Sequence, residues 1–172
     1  MAGHSKWAQI KRQKAATDAK KSKVFSKLAR QISVQAKIYG PDSVELRTVV
    51  EKAKAENVPK DIIERAVKRA GTEVPMAGAL YETYGPSGVA IVIETLTDNK
   101  NRTTQEIKHI LSENNFALGA QGSATWAFRR DSGKWSPENT VPLSEADLVL
   151  LEKLVDELEE LSDVQEVYTN AE

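Results

Sequence analysis

The sequence predicts an α+β protein: an amino-terminal three-helix domain followed by a small α/β sandwich, an antiparallel or mixed sheet with two helices on one face. Three observations carry that expectation. Between residues 18 and 70 the apolar side chains recur at helical spacing and the breaks between runs are short. From residue 80 onward, β-branched runs alternate with helical periods in the order β-β-α-β-α-β. Between the two patterns, residues 71–78 hold Gly71, Pro75 and Gly78 with no clear period and read as a linker. The predicted domains are a basic helical domain, 1–70, and an α+β domain, 79–172.

The elements follow in order. Residues 1–17 are basic and offer only Trp7 and Ile10 as apolar anchors, so a partly ordered arm is expected. A first helix, 18–39, starts on Asp18, a good N-cap type. At about 100° per residue, Val24, Phe25, Leu28, Ala29, Ile32, Ala36 and Tyr39 share one side. Lys20, Lys23, Lys27, Arg30 and Lys37 share the other, with Lys21 the exception on the apolar side, where the first turn can lift it clear. Gly40-Pro41-Asp42-Ser43 is a turn, and a second helix, 44–56, carries Leu46, Val49, Val50 and Ala53 on one stripe. Asn57 ends it. Pro59 suits the first position of a third helix, 59–70, where its missing N–H costs nothing, and Gly71 suits its stop.

Past the linker, residues 80–84 read as a short strand, Gly85-Pro86-Ser87-Gly88 as a turn and 89–96 as a central strand. Residues 97–101 form a loop and cap. Thr103-x-x-Glu106 resembles a capping box for a helix with Ile107, Ile110 and Leu111 inward. Gly119 and Gly122 bracket a turn before a strand at 123–129. Residues 130–142 are polar and broken by Gly133, Pro137 and Pro142. Ser144 caps a helix, 145–161, with Leu148, Leu151, Val155 and Leu158 inward, and 164–168 is a last strand.

Composition narrows the function. The 172 residues include no cysteine, which removes disulfides, zinc–thiolate sites, iron–sulfur clusters and cysteine nucleophiles. No apolar run reaches a membrane span, and Met1-Ala2-Gly3-His4-Ser5-Lys6-Trp7 lacks a signal peptide's apolar stretch. A soluble, cytoplasmic protein with no membrane partner is expected. The net charge of −1 conceals a strong asymmetry. Residues 1–40 hold ten Lys/Arg against one acid, Asp18. Residues 1–70 sum to +10, and residues 71–172 to −11. Such a division points to an anionic partner for the basic end.

Enzyme chemistry finds little support. His4 and His109 have no evident acid or nucleophile companion, and no phosphate-loop, dinucleotide, nucleophile-elbow or zinc-protease motif occurs. The expectation is a non-enzyme with no cofactor, metal or small-molecule substrate, and a monomer. Gly85-x-x-Gly88 and Gly119-x-x-Gly122 match a backbone-clamping GxxG loop only superficially, since they precede strands rather than join helices. The acidic carboxy-terminal helix reads as a solvated face.

The basic arm and first helix are the strongest signal. A phosphate backbone rewards each Lys/Arg contact with released counterions. The candidate contacts are His4, Ser5, Lys6, Trp7, Lys11, Arg12, Lys14, Lys20, Lys23, Lys27 and Arg30, with Trp7 able to stack on a base. Opposed to this is an ordinary solvated face balanced by the acidic tail. A second cluster, Asp98, Asn99, Asn101, Arg102 and Thr103, sits at a strand-to-helix junction. It is either a loop with an N-cap or a second contact where helix N–H groups and Arg102 meet an anion.

Several blocks resemble the YebC/PmpR family. They are Met1-Ala2-Gly3-His4-Ser5-Lys6-Trp7 with Ile10-Lys11, Lys14, Asp18, Lys20 and Phe25-Ser26-Lys27; Lys52-Ala53-Lys54-Ala55-x-Asn57-x-Pro59-Lys60-Asp61-x-Ile63-Glu64-Arg65-Ala66; Tyr81-Glu82-x-Tyr84-Gly85-Pro86-x-Gly88-Val89-Ala90; Leu96-Thr97-Asp98-Asn99-x-Asn101-Arg102-Thr103; and Asp163-Val164-Gln165-x-Val167-Tyr168-x-Asn170. The resemblance implies a helical domain, an α/β domain and a third domain inserted in the latter. Here Phe128-Arg129-Arg130 runs almost directly into Trp135-Ser136-Pro137, so the inserted domain has no counterpart near 130–135. It also implies a non-catalytic nucleic-acid-binding factor. One version is a DNA-binding regulator of transcription. The other is a ribosome-associated factor that engages rRNA or tRNA and relieves stalling at proline-rich stretches.

Overall fold

A computed structural model describes residues 6, 7, 9, 10, 18–70 and 75–172, without the side chains of residues 18–20. The chain divides into two compact units, Ala16–Ala77 and Met1–Ala15 with Gly78–Glu172. The helical unit therefore lies, in sequence, inside the second unit. Of the first fifteen residues, the described Lys6, Trp7, Gln9 and Ile10 group with the sheet unit.

The helical unit holds α1 (Asp18–Tyr39), α2 (Val44–Ala55) and α3 (Lys60–Arg69). Leu28, Ile32 and Ala36 of α1 pack with Leu46 and Ala53 of α2 and Ile63 and Ala66 of α3. This is the apolar stripe set that the spacing predicts. Ser43 caps α2 by accepting from the Leu46 N–H at 3.2 Å. Asn57, at φ 60°, ends it: the Val58 N–H reaches the Ala53 carbonyl at 2.9 Å and the Asn57 N–H the Lys54 carbonyl at 3.0 Å. That pair of bonds satisfies the last carbonyls of α2 and tucks Val58 into the core. Pro59 is the N-cap of α3 rather than its first helical residue. The buried Ser33 hydroxyl donates to the Ala66 carbonyl at 2.8 Å and ties α1 to α3. The proposed Asp18 side-chain cap and the Gly71 stop lie outside what is described.

In the sheet unit, β1 (Ala77–Tyr84), β2 (Ala90–Thr97) and β5 (Val164–Thr169) form one sheet in the order β1-β2-β5. β2 and β5 are antiparallel, with Ile93 opposite Val167. α4 (Lys100–Glu113) and α5 (Glu145–Glu160) cover one face: Ile91 and Ile93 meet Ile107, Leu111, Leu148 and Leu151. The opposite face is covered too. Ala90 and Val92 pack against Ala124, Ala127 and Phe128. With both faces buried, β2 reads as an unbroken apolar run rather than an alternating one.

Three elements differ from expectation. Residues 123–129 are not one strand. A single 3₁₀ turn (Thr125–Ala127) leads into β3 (Phe128–Asp131). β4 (Lys134–Pro137) lies in the stretch read as broken loop, and pairs with β3 as a separate two-stranded sheet. Asp131-Ser132-Gly133-Lys134 makes the turn, with Ser132 at φ 49° and Gly133 at φ 83°. Pro137 sits at the strand's end, where a missing N–H does no harm. Helix α4 begins at Lys100 under an Asn99 cap, so Thr103-x-x-Glu106 is not its capping box. Ser144 caps α5 as expected, accepting from the Asp147 N–H at 3.1 Å.

Candidate nucleic-acid interface

The sequence-predicted residues fall into three settings. On α1, Leu28, Ile32 and Ala36 are buried, while Lys21, Lys23 and Lys37 are exposed and Lys27 and Arg30 are half-buried. The helix thus carries a basic side and an apolar side. His4, Ser5, Lys11, Arg12, Lys14 and the Lys20 side chain lie outside the described residues.

The arm corrects the sequence reading. Trp7 is only 7% exposed and belongs to the core of the sheet unit with Val89, Ile91 and Leu148. A buried indole has no face to offer a base, so Trp7 is an anchor and not a stacking residue in this conformation. The reason is simple: in a segment with little else apolar, burying the indole is the main gain available. Beside it the Lys6 ammonium donates to Glu145 Oε1 at 2.7 Å, with both side chains largely exposed. That hydrogen bond, and the Lys6 charge, hold the Glu145 carboxyl below its ordinary range.

The cluster at the start of α4 turns inward. Asn99 Oδ1 accepts from the Arg102 N–H at 3.1 Å, and the Asn99 N–H donates to Thr97 Oγ1 at 2.9 Å. Arg102 Nη2 reaches Asp98 Oδ1 at 2.7 Å and Asp163 Oδ2 at 2.8 Å. The Thr103 and Thr97 hydroxyls approach the same Asp163 oxygen at 2.7 and 3.0 Å. Asp163 is 1% exposed and Thr103 is fully buried. Hydrogen bonds that Arg102 donates to Asp163 and Asp98, with their charges, hold it firmly protonated. The arrangement staples the β2–α4 junction to the loop before β5. Thr103 cannot touch a partner, and Arg102 is already shared by two carboxylates. Asn101 stays exposed. Sequence reasoning missed Asp163, the centre of this knot. Its signal was an acid directly before a strand.

Glu82 was missed as well. Its carboxylate is 2% exposed and accepts backbone N–H groups from Gly122, Ala124 and Thr125 at 2.6, 2.7 and 2.8 Å. Burial pushes its pKa up, but the three amides outweigh that and the Thr125 hydroxyl adds to them, so it lies below its ordinary value. His109 is exposed on α4, with Glu113 3.5 Å away. Among the described residues, no group of three or more His, Asp or Glu side chains is placed to hold a metal ion. No helix among them is long and apolar enough to cross a membrane.

Family models match along nearly the whole chain. The one described as the TACO1/YebC protein N-terminal domain covers residues 5–73. The one for the TACO1/YebC second and third domain covers 76–133 and 130–171. The two segments of that second match meet at the β3–β4 turn. The chain is similar to probable transcriptional regulatory proteins. One, from Petrotoga mobilis, is 43% identical over 179 residues, spanning 100% of this chain and 71% of the relative. Another, from Thermoanaerobacter pseudethanolicus, is 37% identical over 239 aligned positions, spanning 100% and 97%. Because this chain has 172 residues, at least 67 of those 239 positions have no residue here. A third, from Caldicellulosiruptor saccharolyticus, is 49% identical over 136 residues, 76% of this chain and 56% of that one. Among solved structures, the crystal structure of a conserved hypothetical protein, Aq1575 from Aquifex aeolicus, superposes with TM-score 0.79 at 29% identity, over 90% of this chain and 91% of that chain.

Proposed function

The chain belongs to the TACO1/YebC family, and from that premise we propose that it is a non-catalytic regulatory factor that binds nucleic acid through the basic face of α1, as a DNA-binding regulator of transcription. The relatives are named as regulatory proteins and not as enzymes. The observation that carries the reading is the segregation of charge on α1. Lys23, Lys27, Arg30 and Lys37 lie on one side of a helix whose other side is packed into the core. Phosphates repeat along a nucleic-acid strand, so a stripe of cations makes several contacts at once, and each releases counterions.

A second reading has a specific observation in its favour. The face is dominated by lysine and has few Asn, Gln or Arg side chains of the kind that read base edges. Such a surface reads charge and shape, which suits ribosomal RNA or tRNA. One experiment tests both. Lysate is sedimented through a gradient, and purified protein is titrated with promoter duplex at physiological salt. Migration with ribosomes together with weak, unselective duplex binding removes the operator model. Tight binding to one promoter removes the ribosomal one. In either case, replacing Lys20, Lys23, Lys27 and Arg30 by Gln abolishes binding and leaves the fold intact. Unchanged affinity would falsify the assignment of this surface.

A further inference from the structure

We propose that Trp126 is a stacking platform for a base of single-stranded nucleic acid, with Arg129 and Lys134 of the hairpin that follows it to meet phosphates of the same strand. Trp126 is 60% exposed. Its indole N–H donates to the Tyr84 hydroxyl at 2.7 Å and the Ser123 carbonyl at 2.9 Å, and the Tyr84 hydroxyl in turn donates to Ser123. The polar edge of the ring is therefore satisfied within the protein, and what it presents to solvent is carbon.

The mounting is rigid. Glu82 gathers the backbone N–H groups of Gly122, Ala124 and Thr125, and its own carbonyl accepts from Gly119 at 2.7 Å. A Cβ at Gly119 would stand 2.5 Å from Ser123 Oγ and 3.0 Å from the Glu82 carbonyl oxygen, so chain and strand approach as closely as glycine permits. A ring held this way loses little freedom when a base lies on it.

Charge names the partner. Residues 71–172 carry eighteen acids and only seven Lys/Arg, yet three of the seven, Arg129, Arg130 and Lys134, fall on the β3–β4 hairpin. Arg130 is occupied: it lies 3.8 Å from Glu94 and 5.4 Å from the Trp135 ring centroid. Arg129 pairs across the hairpin with Ser136, and Asp131 with Lys134, so these four share the other face and leave two cations there against one acid. Arg129 follows Trp126 by three residues, which bounds their Cα separation at about 11 Å. An aromatic face with cations close by is the pairing that tracks a single strand, base on ring and phosphate on cation. A duplex keeps its base faces stacked and cannot use the ring. The surface is distinct from the basic face of α1, so it stands without the proposal made for that helix.

The test uses the full chain and a fluorescein-labelled oligouridylate, titrated by anisotropy at several salt concentrations, with its oligoadenylate duplex as comparison. Trp126→Phe and Trp126→Leu both lose the indole N–H, and differ in whether an aromatic face remains. Phe is expected to bind within about threefold of the parent, and Leu at least about fivefold more weakly. Arg129→Gln and Lys134→Gln each flatten the salt dependence by somewhat under one unit of slope. Equal affinities for the Phe and Leu variants, or an equal loss on the duplex, overturn the proposal. So does preferred binding of poly-glutamate, which would make the hairpin a site for acidic protein. Thermal unfolding of both variants confirms that they fold. Retention of oligouridylate binding by the Leu variant, alongside its loss in the α1 variant, would sink this inference and spare the α1 reading.

Discussion

On the helical unit the described charges are exposed or, at Lys27 and Arg30, half-buried. Glu51–Lys54, Lys60–Glu64 and Arg65–Asp61 are exposed pairs within single helices, and the cations of α1 line its outer side. In the sheet unit two carboxylates are buried and act as fasteners: Glu82 gathers three amides of the 122–125 loop, and Asp163 gathers Thr97, Arg102 and Thr103. The same residue types thus have opposite uses. Exposed charge in water contributes little to stability. Buried charge must be fully satisfied, and then it fixes geometry.

The largest effect expected from this contrast is at Asp163. Asp163→Ala removes the acceptor that Thr97, Thr103 and Arg102 share and should cost about 3–4 kcal/mol. The measurement is convenient, because Trp7, Trp126 and Trp135 all belong to the sheet unit. Urea unfolding followed by indole fluorescence therefore reports that unit, while helical circular dichroism also sees the other. A loss below about 1 kcal/mol would mean that the knot is decorative. Next comes Trp7→Ala, expected to cost the sheet unit about 3 kcal/mol through lost burial. An unchanged midpoint would return the arm to the basic surface, where the sequence had placed it.

Legibility followed the same contrast. The three helices and their inward residues were readable because each buries one continuous stripe, and Leu28, Ile32, Leu46, Ala53 and Ile63 all pack as spaced. The β2 run was readable because both its faces are buried. β4 was not, because Lys134, Ser136 and Pro137 are exposed and the strand is held by pairing to β3 rather than by an apolar pattern. Trp7 misled because charge counts see the lysines around it, whereas its indole is buried in the core of the sheet unit. The Asp98 and Arg102 cluster was visible as polar density, but whether it faces in or out depends on Asp163, more than sixty residues away in sequence. No local pattern carries that information.

Glu82→Gln sharpens the comparison through pH. An amide offers one acceptor oxygen and brings two donors of its own toward three N–H groups, so a loss of about 2 kcal/mol is expected at neutral pH. Because the folded carboxyl titrates below its ordinary value of 4.5, its contribution is fully present above that value and is lost as pH falls through the lowered one. The gap between parent and variant should therefore be constant near pH 7 and close on acidification below 4.5. A gap that persists unchanged in acid would show that shape, and not charge, holds the loop.

The smallest effect on stability belongs to the α1 face. Lys23→Gln, Lys27→Gln and Arg30→Gln together should move the unfolding midpoint of the helical signal by no more than about 0.5 kcal/mol. Like charges share that side of the helix, so removing them relieves repulsion while it gives up weak local pairings, and the two changes oppose each other. Far-ultraviolet circular dichroism with heating measures it. A loss above about 2 kcal/mol would mean that these side chains brace the bundle as Glu82 and Asp163 brace the sheet, and the division between outward and inward charge would fail. A null shift in stability combined with lost nucleic-acid binding is the outcome that separates a face kept for a partner from one kept for the fold.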